Sequence, residues 1–279
     1  MKKISRRSFL AAAGLSVAAL ALTACGGSSA STASSVASSA ASSEAASTSA
    51  AAGELTTVEA GKLTMATNAT FPPYEMTTDA GDIEGIDVET AQAIADKLGL
   101  ELQIDDMDFD AALLSVQQGK ADIVMAGVTV TDERKAVMDF SDSYATGIQS
   151  IIVPEGSDIA SPDDLAGKKI GTQRGTTGYI YCSDDFGDDN VVAYDDGLTA
   201  VQALNNGQVD AVVIDNAPAQ EFIAANPGLA ILDTSYAEED YAIGMAKGSS
   251  LEDAVNAALK ELKADGTLQS IVDKYITAE

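Results

Sequence analysis

An α/β fold built as two similar halves is what the sequence predicts, and three observations predict it. From Lys62 onward, short runs of β-branched and apolar residues alternate with stretches of helical periodicity, the pattern of parallel α/β architecture. Glycines stand where the helical stretches end, the usual place for a left-handed cap. The nine residues Val116-Gln117-Gln118-Gly119-Lys120-Ala121-Asp122-Ile123-Val124 are echoed by Leu204-Asn205-Asn206-Gly207-Gln208-Val209-Asp210-Ala211-Val212. Each reads as a helix end, a capping Gly, two residues, an Asp and a buried strand.

The elements follow in order. Lys62 to Thr67 reads as a strand, Val88 to Leu98 as a helix closed by Gly99, and Leu100 to Ile104 as the next strand. Phe109 to Gln118 is a helix closed by Gly119, and Ala121 to Met125 a buried strand. In the second series Ser161 and Pro162 supply an N-cap and an N1 proline for a short helix. A strand at Lys168 to Thr172, a helix after Gly175, a helix at Leu198 to Asn206 and a strand at Asp210 to Ile214 complete it. The two repeated strands should run out at Ala126 and Ile214, followed by Gly127 and Asp215. Ligands of open α/β sheets sit at the carboxyl ends of strands, so these two residues would face crevices. Helix-Gly-strand units recur in any α/β protein, and that plainer reading stays open.

Composition narrows the function classes. The 279 residues carry 43 Asp and Glu against 16 Lys and Arg, a net charge of −27, with no His, no Trp and two Cys. Without histidine, a Ser-His-Asp triad, a Cys-His pair and a His-ligated zinc or haem are excluded. The charge repels phosphate backbones and argues against nucleic acid as a partner. Apolar residues make up 46% of the chain, enough for a substantial core. No metal and no cofactor is expected.

The first residues read as address and tether. Residues 1–24 combine Lys2, Lys3, Arg6 and Arg7 with an apolar run from Phe9 to Leu22, the layout of a secretory signal too short to span a membrane. Leu22-Thr23-Ala24-Cys25 resembles a bacterial lipobox, which implies acylation of Cys25 and a mature chain starting there. An ordinary signal with an incidental Cys is the alternative. Ser5-Arg6-Arg7-Ser8-Phe9-Leu10 also resembles a twin-arginine export signal, and general secretion stays open. Residues 25–55 are rich in Ser and Ala, with Glu44 the one charge between Gly26 and Gly53, a composition expected to stay disordered and to tether a domain at the outer face of the membrane. Cys182 is then the one cysteine not taken by lipid, so no disulfide is expected, and it reads as a structural thiol.

Six motifs occur in register: Thr70-Phe71-Pro72-Pro73-Tyr74-Glu75, Gly85-Ile86-Asp87-Val88-Glu89, Phe109-Asp110, Met125 to Arg134, Gly175-Thr176-Thr177 and Val213-Ile214-Asp215-Asn216. Together they resemble the family 3 extracellular solute-binding proteins, the polar amino-acid receptors of ABC importers, over nearly all of residues 60–279. Thr90 departs from the pattern, where the family carries an aliphatic residue, and reads as a packing change. The resemblance implies a two-lobed periplasmic-binding-protein-like fold of type II, in which each lobe is a mixed, mainly parallel sheet flanked by helices. Residues 56–145 and 238–279 would form lobe 1 and residues 146–237 lobe 2, with two hinge segments between them.

A free α-amino acid presents a carboxylate, an ammonium and a side chain. The resemblance implies Arg134 as the carboxylate clamp, a role its planar fork suits. It implies Thr176 and Thr177 as the other lobe's grip on that carboxylate, at a helix start where free N–H groups favour an anion. Asp215 would hold the ammonium, helped by the Gly127 carbonyl and the Thr129 hydroxyl; capping of the following helix is its plainer role. Phe71 and Phe109 would sandwich the side chain, with Asn68 and Gln173 at its end. Neutral amides there would not offset burial of a cation, which points to a neutral polar ligand such as glutamine. The expected protein is a lipid-anchored, monomeric receptor that hands a free amino acid to an ABC importer permease. The alternatives are an enzyme on the same scaffold, similar to some dehydratases, and a sensor domain for a signalling partner. The enzyme reading lacks a general acid or base.

Overall fold

The computed structural model describes residues 55–276; the expected signal peptide, Cys25 and nearly all of the expected tether lie outside them. Strand β1 (Lys62–Thr67) leads through the small hairpin strands β2 (Thr70–Phe71), β3 (Glu75–Thr77) and β4 (Ile83–Glu84) into helix α1 (Ile86–Leu98). Gly99 ends that helix at φ 71°, its N–H returning to the carbonyls of Ala95 and Asp96. Then come β5 (Glu101–Asp106), α2 (Phe109–Gln117), β6 (Ile123–Val124), α3 (Asp132–Val137) and β7 (Met138–Phe140). The second series runs β8 (Ala145–Pro154), a 3-10 turn (Pro162–Leu165), β9 (Ile170–Gln173), α4 (Thr177–Phe186), β10 (Val191–Tyr194), α5 (Gly197–Asn205), β11 (Ala211–Asp215), α6 (Asn216–Ala225) and β12 (Leu229–Ile231). Strands β13 (Ala237–Tyr241) and β14 (Gly244–Ala246) and helices α7 (Glu252–Ala264) and α8 (Thr267–Tyr275) close the chain. Among the described residues no helix is long and apolar enough to cross a membrane.

Two mixed sheets result. The first has the order β5-β1-β6-β14-β7 and the second β10-β9-β11-β8-β12, with β13 also paired to β8. Each has a parallel core of the same plan, β5-β1-β6 and β10-β9-β11, in which the first strand of the series lies between the second and the third. The strands that return the chain, β8 and β14, run antiparallel to that core. Strand β8 leaves the first sheet and β13 comes back, and the two pair with each other from Ala145↔Tyr241 to Gln149↔Ala237. The expected crossing segments are therefore one two-stranded ribbon.

The sequence repeat has a local mechanical cause. Gly119 and Gly207 both take φ 66°, a left-handed turn that costs little only at glycine. Three residues after each glycine comes its aspartate. The carboxylate of Asp122 accepts the backbone N–H groups of Val58 and Thr64, and that of Asp210 accepts Lys169 N–H. In both halves the acid secures the start of the neighbouring central strand, so the repeated Asp residues are structural. Strand β6 is shorter than the expected Ala121 to Met125, although both of those residues are buried, and β9 starts two residues later than expected.

Helix α7 buries Val255, Ala258, Leu259 and Leu262, one stripe at helical spacing, against α1. This brings the C-terminal end of the described chain into the first half's core with Ile94 and Met65. In the second half Cys182 is fully buried among Ile151, Ile170 and Val213, and burial pushes its thiol up to about 12, which fits an inert packing role. Thr90 on α1 is fully buried, and its hydroxyl has no hydrogen-bond partner among the described residues. Its packing change therefore carries a desolvation cost. Thr90→Val, which keeps the shape and removes the orphaned hydroxyl, should raise unfolding stability by about 1 kcal/mol in urea titration.

Candidate functional site: a closed cleft between the two sheets

The carboxyl ends of the parallel strands face one another. Asn68 follows β1, Gly127 stands three residues past the end of β6, Gln173 ends β9 and Asp215 ends β11. Strand β11 extends one residue past the expected end at Ile214, and Asp215 itself pairs with Gln149 of β8. All ten residues expected to contact a ligand line a single cavity: Asn68, Phe71, Phe109, Gly127, Thr129, Arg134, Gln173, Thr176, Thr177 and Asp215. Glu75 and Ala126 complete the wall.

Arg134 lies on α3, whose N-cap Thr131 accepts the Arg134 N–H at 3.1 Å. Its guanidinium donates to the Thr129 carbonyl at 2.8 Å and, across the cleft, to the Gly175 carbonyl at 3.1 Å. It sits 5.4 Å from the centre of the Phe109 ring, a cation–π distance. Burial lowers its proton affinity, and the nearby charge of Glu239 works the other way. Opposite it, Gly175 turns at φ 75° and Thr176 caps α4, accepting the Tyr179 N–H and donating to the Gln173 carbonyl. Gly175 thus delivers a helix start toward the guanidinium.

Asp215 stands at the N-cap position of α6 but makes no capping bond. Its Oδ2 instead accepts the Gln149 amide at 2.8 Å, while the buried Oδ1 lies on the side of the Tyr241 ring. Burial pushes its pKa up to about 7, against the pull of the Tyr241 hydroxyl and the Gln149 amide and with the push of the Glu239 charge. A buried carboxylate held this way is a strong acceptor for a cation and a poor cap.

Gly127 takes φ 55°, and a Cβ there would come within 2.8 Å of the Phe71 ring. Its N–H donates to Asp87 at 3.0 Å, and Asp87 also accepts the Tyr144 hydroxyl at 2.7 Å. The aspartate of the Gly-Ile-Asp motif therefore fixes the loop that carries Gly127 and Thr129. The glycine of that motif, Gly85, is required because a Cβ would lie 2.2 Å from the Tyr74 carbonyl oxygen. Phe71 and Phe109 form cavity wall and core at once.

At the other end of the cavity Gln173 donates to the Asn68 side chain at 2.8 Å across the cleft, and Asn68 donates to the Met107 carbonyl. With this pair and the Arg134–Gly175 bond in place, the space left is about 10 Å³, room for roughly one water. An amino acid can enter only if the two halves separate.

Sequence reasoning missed four groups. Glu75 is fully buried in the cavity wall with no donor on either oxygen, and burial and the adjacent Asp87 push it well above the carboxylate range. Asp87, Gln149 and Glu239 stand behind the wall. Glu75 and Asp87 lay inside quoted motifs without an assigned role; Gln149 and Ser150 stand as a polar pair directly before the apolar run Ile151-Ile152-Val153, a signal that could have been noticed.

A family model matches residues 63–278, described as bacterial extracellular solute-binding proteins, family 3. The chain belongs to that family. Its members are solute-binding proteins and not enzymes, and the two-lobed type II periplasmic-binding-protein fold is the one described above. The chain is 34% identical over 226 residues to the L-cystine-binding protein TcyJ of Escherichia coli strain K12, covering 79% of this chain and 85% of that one. It is 34% identical over 202 residues to the ABC transporter glutamine-binding protein GlnH of Bacillus subtilis strain 168, covering 71% and 74%. Among solved structures, the arginine-, lysine-, histidine-binding protein ArtJ of Geobacillus stearothermophilus superposes with a TM-score of 0.75 at 34% identity, covering 78% of this chain and 96% of that one.

Proposed function

We propose that this protein is a receptor for a free L-amino acid, closes on it by hinge motion and presents it to an ABC importer. The observation that carries the proposal is the presence of Arg134 and Asp215 in one cavity, the first on α3 beside the first sheet and the second at the end of β11 in the second. The guanidinium would exchange the Gly175 carbonyl for the ligand carboxylate, and Asp215 Oδ1 would accept the ammonium. Residues 56–145 with 238–279 would move as one lobe and 146–237 as the other, about the β8–β13 ribbon. The hand-over to an importer, and a lipid anchor on Cys25 at the outer membrane face, complete the proposal.

The Asn68–Gln173 amide pair supports a neutral polar side chain such as glutamine. Glu75 favours a second reading, a cationic side chain, because a buried carboxyl without a donor is a natural partner for a guanidinium or ammonium. The two readings differ in protons. A neutral ligand would leave Glu75 as the acid, whereas a cation would expel its proton. Calorimetry at pH 7 in buffers of different ionisation enthalpy should show glutamine binding with about one proton fewer released than arginine. Tight arginine binding with the extra proton released would establish the cationic reading. No binding of any common L-amino acid would remove the function.

A further inference from the structure

We propose that Glu239 is a latch between the lobes, a positioning residue that sets how long the closed state lasts. It rests on the two-lobe reading above and deepens it. Glu239 lies on the returning strand of the crossing ribbon, opposite Gly147, and is 8% exposed. One of its oxygens, Oε2, collects three donors: the Thr129 hydroxyl at 3.2 Å, the Thr177 hydroxyl at 2.9 Å and the Gln149 amide at 3.2 Å. Thr129 follows the first sheet's β6, whereas Thr177 opens α4 beside the second sheet. A single carboxylate oxygen on the ribbon therefore ties both sides of the cleft. The Thr129 and Thr177 hydroxyls themselves are only 3.4 Å apart, a distance that separation of the halves must break.

The placement gives the latch a specific effect. Hydrogen bonds to a charged group are the stronger kind, and these three converge where water is excluded. They involve Thr129 and Thr177, which also line the ligand cavity, yet Glu239 does not line it. The carboxylate thus acts on the ligand only through the residues it orients. Its other oxygen is buried without a donor, a cost a purely structural acid would be expected to avoid. Opening the cleft would keep Glu239 with Thr129 on the first lobe and release it from Thr177 and Gln149 on the second. Ligand-free opening should therefore be slowed by Glu239, and so should ligand escape.

The test uses distance distributions between probes on Glu133→Cys and Asp184→Cys, one on each lobe, with stopped-flow ligand release, in the otherwise intact chain. Glu239→Ala should shift the ligand-free protein from the short distance to the long one. It should also raise the amino-acid dissociation rate roughly 10–100-fold, with the association rate within about threefold of wild type. Glu239→Gln, which keeps the shape and one acceptor but loses the charge, should give an intermediate rise of roughly 3–10-fold, and it decides the matter if the alanine variant fails to fold. A faster release with unchanged distances would overturn the latch, since Glu239 would then act on the ligand alone. So would unchanged rates and distances, or a wild type that shows only the long distance with and without ligand. The ligand-free distances test the latch even if no amino acid binds, so its failure and the failure of the receptor reading are separable.

Discussion

Arg134→Ala and Asp215→Ala should each lower amino-acid affinity by at least 10²–10³-fold while leaving a cooperative, folded protein. The reasoning is electrostatic. A bound zwitterion in this cleft is neutralised at its two ends by groups that are themselves buried, 8% and 7% exposed. Deleting one partner leaves a ligand charge desolvated and unmatched, at a cost of about 3–5 kcal/mol. Arg134→Lys separates charge from geometry. It keeps the cation but loses the fork that now spans the Thr129 and Gly175 carbonyls, so its affinity should fall between wild type and alanine. Folding should survive because neither side chain supports the main cores; the cluster around α2 keeps Phe109, Ala112 and Val116 without the guanidinium. Titration calorimetry with far-UV circular dichroism as the folding control makes the measurement, and near-normal affinity in either alanine variant would falsify the site.

Much of this was legible in the sequence because the relevant physics is local. The capping glycines at 99, 119 and 207 fix helix ends through backbone geometry, and α5 and α1 appear within a residue or two of where periodicity places them. The ten expected contact residues converge because they stand at strand ends, at helix starts or, for Gly127 and Thr129, in the loop that leaves β6, and topology carries such positions to one edge. Roles set by long-range packing were not legible. Asp215 could have capped α6 on sequence grounds; only Gln149, 66 residues away, shows that the carboxylate is turned elsewhere. Glu75 closed one of the six motifs without a role of its own, and its solvent-free position against Asp87 arises from the hairpin folding over α1. Glu239 sits in an acidic run, Glu238-Glu239-Asp240, whose alternation puts only the middle residue inside.

Affinity for an amino acid should rise about tenfold per pH unit from pH 5 to about 7 and then level off, while ligand-free stability moves the opposite way. Asp215 has a pKa near 7 in the folded protein against an ordinary value of 3.8, so the folded state binds its proton more tightly than the unfolded state does. Stability from this group is complete below about pH 3.8 and is lost as pH climbs toward 7, by at most about 4 kcal/mol. Asp87, raised to about 6 by burial, adds a slope of the same sign. The ammonium of a ligand needs the carboxylate form, so below pH 7 each binding event must expel the Asp215 proton, and affinity drops with acidity. Replacement by Asn removes the titrating group: Asp215→Asn should flatten the affinity profile and leave the part of the stability slope that comes from Asp87 and Glu75. Melting curves and calorimetric titrations across pH 5–8 read both effects. An affinity profile that is flat in wild type would show that Asp215 is already ionised before the ligand arrives, and that its burial is relieved by an open cleft in solution.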